Sequence, residues 1–365
     1  MGGLENTMAT VKEKISSCEN LFKAERRAAR SKRKKVEVAR FEYDLGYNIV
    51  KLSDELEKGT YRVSKYYCFY VYEPKEREIQ ALKFRDRVVQ NCICNEVLRP
   101  WLEPRLIYDN AACRVGKGSH FALKRLSGFL SSYYRRYGAD GYVLKIDIKK
   151  YFDSIDHEVL KKKLSKFPTK GGRELFYSIV DGYHKEVGKG LPMGNQSSQW
   201  FALYYLDGVD RMIKEVYRIK YYTRYMDDMV LIHHDRAYLA KILDELRTYA
   251  DKELKLQFNS KTQIAPLSQG VDFLGFRFFL GRNGKVVKRL RGSAKKRLRG
   301  NIKRLRKAYA NGEMDIKDVN CRINSYVAHL KHGNTYNLRK RLISRTVFAR
   351  KTESIEYNAD ENKIK

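Results

Sequence analysis

The sequence predicts a mixed α+β fold, with helices and antiparallel strands in separate stretches of the chain. Apolar residues recur at helical spacing in several segments, for example residues 43–57. Other segments alternate or run apolar as strands do, above all residues 142–152 and 221–234. The 365 residues can bury a substantial core and form two or three subdomains.

The charge balance is strongly basic. Lys and Arg number 75 against 43 Asp and Glu, a formal net charge of +32. Such a charge destabilises a compact state by self-repulsion, which indicates a polyanionic partner, either nucleic acid or an anionic membrane surface. No apolar run is long enough to span a bilayer and no signal-peptide pattern opens the chain, so we expect an intracellular protein. The six scattered cysteines are expected to be reduced and mostly buried.

The first third of the chain is predicted to be mainly helical. Residues 11–40 and 84–98 are predicted helices, and residues 61–72 alternate as a strand rich in Tyr and Val. The basic run 23–35 has two interpretations, a solvated helix face or a surface that contacts phosphates.

Two loops combine glycine with polar residues. Cys113–Gly118 places Lys117 between glycines and next to Arg114, which suits close approach of a phosphate; a plain surface turn is the alternative. Residues 188–199 are also rich in glycine and polar residues, and they precede a predicted apolar helix at 200–213.

Two stretches place acidic residues within apolar strands. In Tyr221–His234, Asp227 and Asp228 lie at a predicted hairpin turn, and adjacent carboxylates repel unless a cation lies nearby. In Tyr142–Phe152, isoleucines flank Asp147, which costs free energy unless the carboxylate is paired or metal-bound. A solvated turn is the alternative for the pair. If the strands are neighbours, the carboxylates converge on two Mg²⁺ ions, the arrangement that polymerases and nucleases use in phosphoryl transfer.

The C-terminal third is predicted to combine helices with one aromatic strand. Residues 237–250 are a predicted amphipathic helix, and residues 271–279 a strand with Gly275 at its centre. Residues 293–311 are predicted to form a helix with one apolar stripe. The other faces of this helix carry Lys295, Lys296, Arg297, Arg299, Lys303, Arg304, Arg306 and Lys307.

As a set, these motifs resemble those of reverse transcriptases. The resemblance is carried by YMDD with its apolar flanks, IDIKKYFDSID and FLGF, in matching order over roughly residues 75–279. It implies a right-hand polymerase of fingers, palm and thumb, with an antiparallel palm sheet and a basic helical thumb. The implied parts are a basic helical N-terminal extension at 1–74, fingers at 75–140 with 158–189 returning to the fingers and palm, a palm at 141–280, a thumb at 281–350 and a polar tail at 351–365.

The resemblance also implies roles for individual residues. Asp147, Asp227 and Asp228 hold two Mg²⁺ ions, the backbone carbonyl of Ile148 adds a ligand, and Lys261 protonates the leaving pyrophosphate. The bulky ring of Phe152 acts as a steric gate that selects deoxynucleotides. The implied residues at the dNTP are Arg77, Arg114, Lys117, Phe152, Met193 and Gly194, and those at the primer and template are Phe273, Leu274, Gly275, Phe276, Lys296, Arg299, Lys303 and Arg306.

The loop at residues 191–199, LPMGNQSSQ, narrows the resemblance. Retroviral, group II intron and retron enzymes usually carry Gln where this chain has Met193, and intron and retron enzymes typically end the loop with Ser-Pro rather than Ser-Gln. This loop, EPKEREI at 73–79 and SYVAHLKHGNTYNLRKR at 325–341 are similar to reverse transcriptases of diversity-generating retroelements. That subtype implies cDNA synthesis from a template-repeat RNA with errors opposite adenines, and a small basic accessory variability protein, itself oligomeric.

Three alternatives stay open. A group II intron-like or defence-associated reverse transcriptase would keep the chemistry, whereas a non-enzymatic RNA-binding scaffold would keep only the fold.

His329 and His332 form an HxxH pair, for which thumb packing or backbone contact is favoured over zinc. For the retroelement subtype we expect dNTP substrates, a cDNA/RNA duplex as product, no membrane partner, and the cytoplasm of a prokaryotic or phage-infected cell.

Overall fold

The computed structural model describes residues 11–72, 76–344 and 346–350, except the side chain of Ile343. Predictions for the N-terminal ten residues, for Glu73-Pro74-Lys75 and for the tail from residue 351 lie outside the described residues. The described part combines helices with small antiparallel sheets, which confirms the α+β class. None of the helices described is long and apolar enough to cross a membrane.

The chain divides into two compact units. The first consists of Met1–Phe129 and Asp140–Pro266, and the second of Leu130–Ala139 and Leu267–Lys365. The described helices of the first unit are residues 11–16, Cys18–Ala29, Val36–Tyr43, Leu45–Glu57, Phe84–Ile93, Arg99–Leu102, Tyr151–Ser154, His157–Leu164, Lys170–Asp181, Gln196–Tyr205, Asp207–Arg211 and Arg236–Lys252. This unit also has π-helical turns at Cys94–Leu98 and Met212–Val216 and a 3₁₀ turn at Glu103–Arg105. A 3₁₀ turn at Leu267–Gln269 belongs to the second unit. Helix Ser119–Tyr137 begins in the first unit and ends in the second.

The first unit contains two sheets. Strands β1 and β2 form an antiparallel hairpin, and β3 to β6 form a four-stranded antiparallel sheet in the order β4–β5–β3–β6. The apolar residues of β3 and β5 are buried, so the sheet lies in the main core. The strands are β1 Tyr67–Val71, β2 Arg77–Ala81, β3 Tyr142–Ile146, β4 Tyr221–Tyr225, β5 Asp228–His233 and β6 Gln263–Pro266.

Among its described residues the second unit contains a three-stranded antiparallel sheet and, besides the end of helix Ser119–Tyr137, three helices. Phe273, Phe276 and Phe278 are fully buried in its core. The long helix buries Leu298, Ile302 and Leu305, as the sequence pattern predicts, because these side chains recur on one face. The elements are β7 Val271–Phe273, β8 Phe276–Leu280, β9 Val286–Leu290, and helices Gly292–Ala310, Ile316–Leu330 and Tyr336–Ser344.

Several predicted elements are wrong in extent. The single helix predicted over residues 11–40 is broken, because the Ser17 hydroxyl caps a new helix by accepting from Asn20 N (3.4 Å), and Ser31 adopts a positive φ of 61°. The strand predicted over 61–72 is confined to β1, and the strand predicted over 142–152 ends at Ile146. The predicted helix at 200–213 begins at Gln196 and is interrupted.

The aromatic strand predicted over 271–279 is instead a hairpin. Leu274 and Gly275 both have positive φ, 46° and 86°, which reverses the chain between β7 and β8.

The cysteine prediction is half correct: all six thiols are free, but only Cys92 and Cys94 are buried.

Candidate active site

The four-stranded sheet brings the predicted acidic residues to one edge. In the register of β3 and β5, Ile146 lies opposite Met229, so the next residue along β3, Asp147, is level with Asp228. Asp227 belongs to the turn between β4 and β5, where Tyr225 pairs with Asp228. The hairpin predicted from the sequence is therefore present, and the long-range pairing with the Asp147 strand is present with it.

The electrostatics of the two adjacent carboxyls reflect their crowding. Burial raises the pKa of Asp227, and the charge of Asp147 raises it further, whereas Arg77 and Arg224 oppose the shift. Burial raises the pKa of Asp228 to about 6, with Lys145 opposing and the two other acids adding to the shift. Because neighbouring carboxylates oppose the ionisation of Asp227 and Asp228, the site favours an added cation.

The donor set fits a divalent metal ion. The Oδ1 atom of Asp228 is buried and has no well-aligned hydrogen bond among the described residues, although the Lys145 ammonium lies 3.3 Å away as an ion pair. Carboxylate oxygens are the ligands that Mg²⁺ prefers. In the described ranges no three His, Cys, Asp or Glu side chains are gathered into a metal-binding group, and the Lys145 ammonium lies beside Asp228.

The segment that carries Lys261 contacts the backbone of Asp147. The Thr262 hydroxyl accepts from Asp147 N at 3.1 Å and donates to Asp147 O at 3.2 Å, while Asn259 N donates to the same carbonyl at 2.7 Å. Ile148 is buried and forms an isolated antiparallel bridge with Phe258. The side chain of Lys261 is exposed, so it can reach a ligand outside the sheet.

The loop that carries Met193 is fixed by its backbone. Leu191 N donates to Phe152 O at 2.9 Å, and Met193 N donates to the buried amide oxygen of Gln80 on β2 at 3.2 Å. Gly194 has a φ of 150°, and a Cβ there would lie 2.6 Å from the Gln80 carbonyl oxygen, so only glycine fits. Phe152, Met193 and the strand of Arg77 are thus brought together.

The two cations of the loop Cys113–Gly118 hydrogen-bond to carbonyls of the segment that precedes the loop. Arg114 Nη1 donates to the carbonyls of Ile107 (2.7 Å) and Asn110 (3.2 Å). Lys117 donates to the Tyr108 carbonyl and lies 4.3 Å from the centre of the Tyr108 ring. Burial, with Arg114 nearby, lowers the pKa of Lys117 to about 8. The two cations organise the loop, a role that the spacing of glycines did not indicate.

The predicted primer and template residues belong to the second unit. Phe273 and Phe276 are core residues, and the turn between them exposes part of Leu274 and Gly275. The His329 ring packs 5.2 Å from the Phe276 ring, in line with the packing expected of the HxxH pair. Lys296, Arg299, Lys303 and Arg306 are exposed along helix Gly292–Ala310, as predicted.

A buried cluster of Arg224, Tyr222 and Asp210 was not found from the sequence. Arg224 on β4 is fully buried and forms a two-pronged ion pair with Asp210, at 2.6 and 2.8 Å. Tyr222 donates to the same carboxylate at 2.6 Å. Burial lowers the pKa of Arg224, but the Asp210 carboxylate outweighs burial and raises that pKa above its usual value, while burial raises the pKa of Asp210. An arginine inside an otherwise apolar strand was the available signal.

The sequence matches the reverse transcriptase (RNA-dependent DNA polymerase) family over residues 73–278. This chain belongs to that family. Its reverse transcriptase domain is that of an RNA-directed DNA polymerase, a nucleotidyltransferase that copies an RNA template, and the family implies a divalent metal ion and dNTP substrates. The match includes the sheet edge, the loop at 191–199 and the β7–β8 hairpin.

Two curated relatives are similar over part of their length. Protein YkfC of Escherichia coli (strain K12) is 26% identical over 281 residues, which cover 64% of this chain and 71% of the relative. The COX1/OXI3 intron 1 protein of Saccharomyces cerevisiae is 28% identical over 177 residues, 45% of this chain and 20% of the relative.

Solved telomerase structures are also similar. Telomerase from Candida albicans in complex with a TWJ fragment of telomeric RNA gives a TM-score of 0.48 at 12% identity, covering 73% of this chain and 55% of that one. Apo telomerase from Candida tropicalis, truncated from its C-terminal domain, gives 0.47 at 13% identity, covering 67% and 60%. This reverse transcriptase thus spans little more than half the length of those telomerase chains.

Proposed function

We propose that this reverse transcriptase is the polymerase of a diversity-generating retroelement. In this proposal it copies a template-repeat RNA into cDNA with errors opposite adenines, for diversification of a target gene. It works with a small basic accessory variability protein that is oligomeric. The observation that carries the polymerase chemistry is the convergence of Asp147 with Asp227 and Asp228 at one sheet edge.

The proposed chemistry assigns each residue one task. Asp147, Asp227, Asp228 and the Ile148 carbonyl hold two Mg²⁺ ions, which when bound neutralise the charge that develops in phosphoryl transfer. Lys261 is exposed on a segment bonded to Asp147, and it gives a proton to the leaving pyrophosphate. The ring of Phe152 excludes a 2′-hydroxyl, because its backbone is bonded to the loop at 191–199 and cannot withdraw.

The proposal assigns cations to two sets of phosphates, those of the triphosphate and those of the primer–template backbone. Arg77 lies close enough to the carboxyls to oppose the pKa shift of Asp227, so a triphosphate held there would meet its guanidinium. Lys117 contacts the same triphosphate from the loop whose shape Arg114 maintains. The exposed cations of helix Gly292–Ala310 and the turn at Leu274-Gly275 contact the primer–template backbone, as the thumb and primer grip of a right-hand polymerase.

The assignment to diversity-generating retroelements rests on the loop at 191–199. Met193 has a fixed backbone and a half-buried thioether, where a Gln side chain could hydrogen-bond near the nucleotide sugar. Loss of that hydrogen bond weakens discrimination between correct and incorrect base pairs, which suits an enzyme whose product is mutagenised cDNA.

A group II intron-type enzyme is the second candidate. It is favoured by the similarity to the Saccharomyces cerevisiae intron 1 protein over 177 residues. A ribozyme beside the coding region would support this candidate, whereas a template-repeat RNA gene and a variable target gene would support the first.

The test is extension of an RNA template by the purified protein, with and without its flanking noncoding RNA and accessory protein, followed by sequencing of the cDNA. We expect Mg²⁺-dependent cDNA with errors concentrated opposite adenine when both additions are present. Asp227→Ala should abolish synthesis while RNA binding survives, because the carboxylate removed is a metal ligand and not an RNA contact.

The outcomes separate the parts of the proposal. Accurate cDNA under all conditions would contradict the mutagenic role but keep the polymerase. Full synthesis by Asp227→Ala would contradict the metal-site assignment itself.

A further inference from the structure

The Asp227-Asp228 turn rests on a buried guanidinium. Arg224 lies two residues before Met226 on β4, and its side chain is fully buried. Its Nη1 atom donates to the Met226 carbonyl at 2.9 Å, and its Nη2 atom donates to the Leu203 carbonyl at 3.0 Å. These bonds add to the two-pronged pair with Asp210, so the fork contacts three separate parts of the chain.

The free-energy cost of burying the Arg224–Asp210 ion pair indicates that Arg224 has a role other than stabilising the fold. Burying an ion pair costs about as much free energy as the pair recovers, so apolar residues of similar volume would stabilise the fold as well or better. An arginine offers what apolar residues lack, which is a rigid fork that fixes the direction of several acceptors at once.

The acceptor at the turn is strained. Met226 has a φ of 55°, in the left-handed region that a residue with a side chain rarely adopts. Such a conformation persists only where surrounding contacts hold it. The bond from Arg224 to the Met226 carbonyl is a contact of that kind, and the peptide that carries this carbonyl leads directly into Asp227.

The backbone of Arg224 contacts a second functional segment. Its N–H donates to the Asp109 carbonyl at 3.1 Å, and its carbonyl accepts from Ala111 N at 2.9 Å. The Thr223 hydroxyl donates to the same Asp109 carbonyl at 3.2 Å. This segment leads into the loop of Arg114 and Lys117, so Arg224 lies where that loop meets the acidic turn.

We infer that Arg224 is a positioning residue of the polymerase: its guanidinium, fixed by Asp210, sets the Met226 carbonyl and thereby the direction of the Asp227 and Asp228 carboxylates. The inference rests on the proposed metal-binding role of those carboxylates. A structural role alone would affect folding; a positioning role affects the affinity for the cation in a protein that stays folded.

The test compares Arg224→Lys with Arg211→Lys. Lysine keeps the charge beside Asp210 but cannot span Asp210 and the Met226 carbonyl together. Arg211 is a matched control, because it binds Asp207 (3.1 Å) and the Arg105 carbonyl (2.8 Å) without contacting the turn. Binding of Mn²⁺ to the protein alone is measured by electron paramagnetic resonance, since carboxylate sites that suit Mg²⁺ also suit Mn²⁺.

We expect Arg224→Lys to weaken Mn²⁺ binding and raise the Mg²⁺ concentration for half-maximal cDNA synthesis, each by about tenfold, the loss typical of one hydrogen bond from a charged donor. At saturating Mg²⁺ the KM for dNTP should change by less than about threefold. The bonds to Asp109 and Ala111, which precede the loop of Arg114 and Lys117, come from the backbone of residue 224, and the substitution keeps them. Arg211→Lys should match the wild type in every measurement.

The triple variant D210L/Y222F/R224M covers the case in which Arg224→Lys does not fold. It replaces the buried polar cluster with apolar side chains, a change that is often neutral or stabilising for a buried ion pair. Wild-type Mn²⁺ affinity in either folded variant would overturn the inference. Wild-type protein that binds Mn²⁺ but makes no cDNA would instead count against the proposed function.

Discussion

The sheet edge and the helix Gly292–Ala310 use charge in opposite ways. At the sheet edge, Asp147, Asp227 and Asp228 are partly buried; Asp147 raises the free energy of ionising the other two, and Asp227 raises that of Asp228. On the helix, the cations are exposed around a buried stripe of Leu298, Ile302 and Leu305. The first region concentrates negative charge in a chain whose net charge is +32.

A single charged group contributes a different free energy in each of the two regions. Where water is excluded, an interaction between charges is strong because the effective dielectric constant is low. Where water and salt are present, each charge contributes little, and several add to a binding surface. We therefore expect single substitutions at the sheet edge to have large effects and single substitutions on the helix to have small ones.

The largest expected effect is that of Asp228→Asn. Loss of a carboxylate ligand should lower the rate of cDNA synthesis by about a thousandfold or more, comparable to removal of a group that stabilises transition-state charge. The same change should stabilise the metal-free protein at neutral pH. The pKa of Asp228 is raised to about 6 in the folded protein, above its unfolded value, so ionisation opposes folding.

The sign of this effect fixes its pH dependence. Between about pH 4 and 6 the folded state binds the proton more tightly than the unfolded state, so wild-type stability falls as pH rises through that range. Asp228→Asn should exceed the wild type by about 1–2 kcal/mol at pH 7.5 and lose that advantage near pH 4. Urea unfolding in EDTA measures both, with the exposed carboxylate Asp251→Asn as the control. A destabilised Asp228→Asn at pH 7.5 would contradict the cost assigned to burial.

A smaller effect is expected on the helix. The double variant R299A/R306A should reduce the slope of log affinity for a primer–template duplex against log salt by about 2, because each phosphate contact releases close to one counterion. Alanine preserves the helix, so the rate at saturating duplex should change little. The measurement is duplex binding by fluorescence anisotropy across a salt series.

The matched control is the double variant K317A/R322A, which removes the same charge from exposed positions on helix Ile316–Leu330. If exposed cations acted by net charge alone, both pairs would change the slope equally. A larger change for R299A/R306A supports a contact surface along helix Gly292–Ala310, and equal changes would rule that surface out.

The sequence predicted what depends on local pattern. The hairpin around Asp227, the buried stripe of helix Gly292–Ala310 and the existence of strand β3 all follow from side-chain periods of two or about 3.6 residues. The roles of Asp147 and Phe152 required the family resemblance in addition, because spacing alone does not say which strands become neighbours.

Contacts between distant residues could not be predicted. Arg224 and Asp210 are 14 positions apart and on different elements, and Gln80 and Met193 are 113 apart, so no periodicity links them. The break at Leu274 escaped prediction because leucine rarely adopts positive φ, and the alternating aromatic residues on both sides indicated one strand. Tertiary contacts decide such conformations.

We expect Met193→Gln to have the smallest effect on the rate of cDNA synthesis and a specific effect on the errors in the cDNA. The backbone at Met193 is fixed by the Gln80 amide, so a new side chain enters the same place without moving the loop. Gln restores a group that can hydrogen-bond near the sugar of the nucleotide. One hydrogen bond changes discrimination by about fivefold, so errors opposite template adenine should fall by roughly that factor.

Met193→Leu is the control, since it keeps an apolar side chain of similar volume and should leave the error spectrum unchanged. Sequencing of cDNA from the three proteins compares errors opposite each template base, with the rate of extension expected to stay within about twofold. Comparison of the three side chains at position 193 separates the effect of the fixed loop backbone from the effect of side-chain chemistry. An error spectrum that is the same for Gln, Leu and Met would mean that the fixed loop, and not the thioether, sets fidelity.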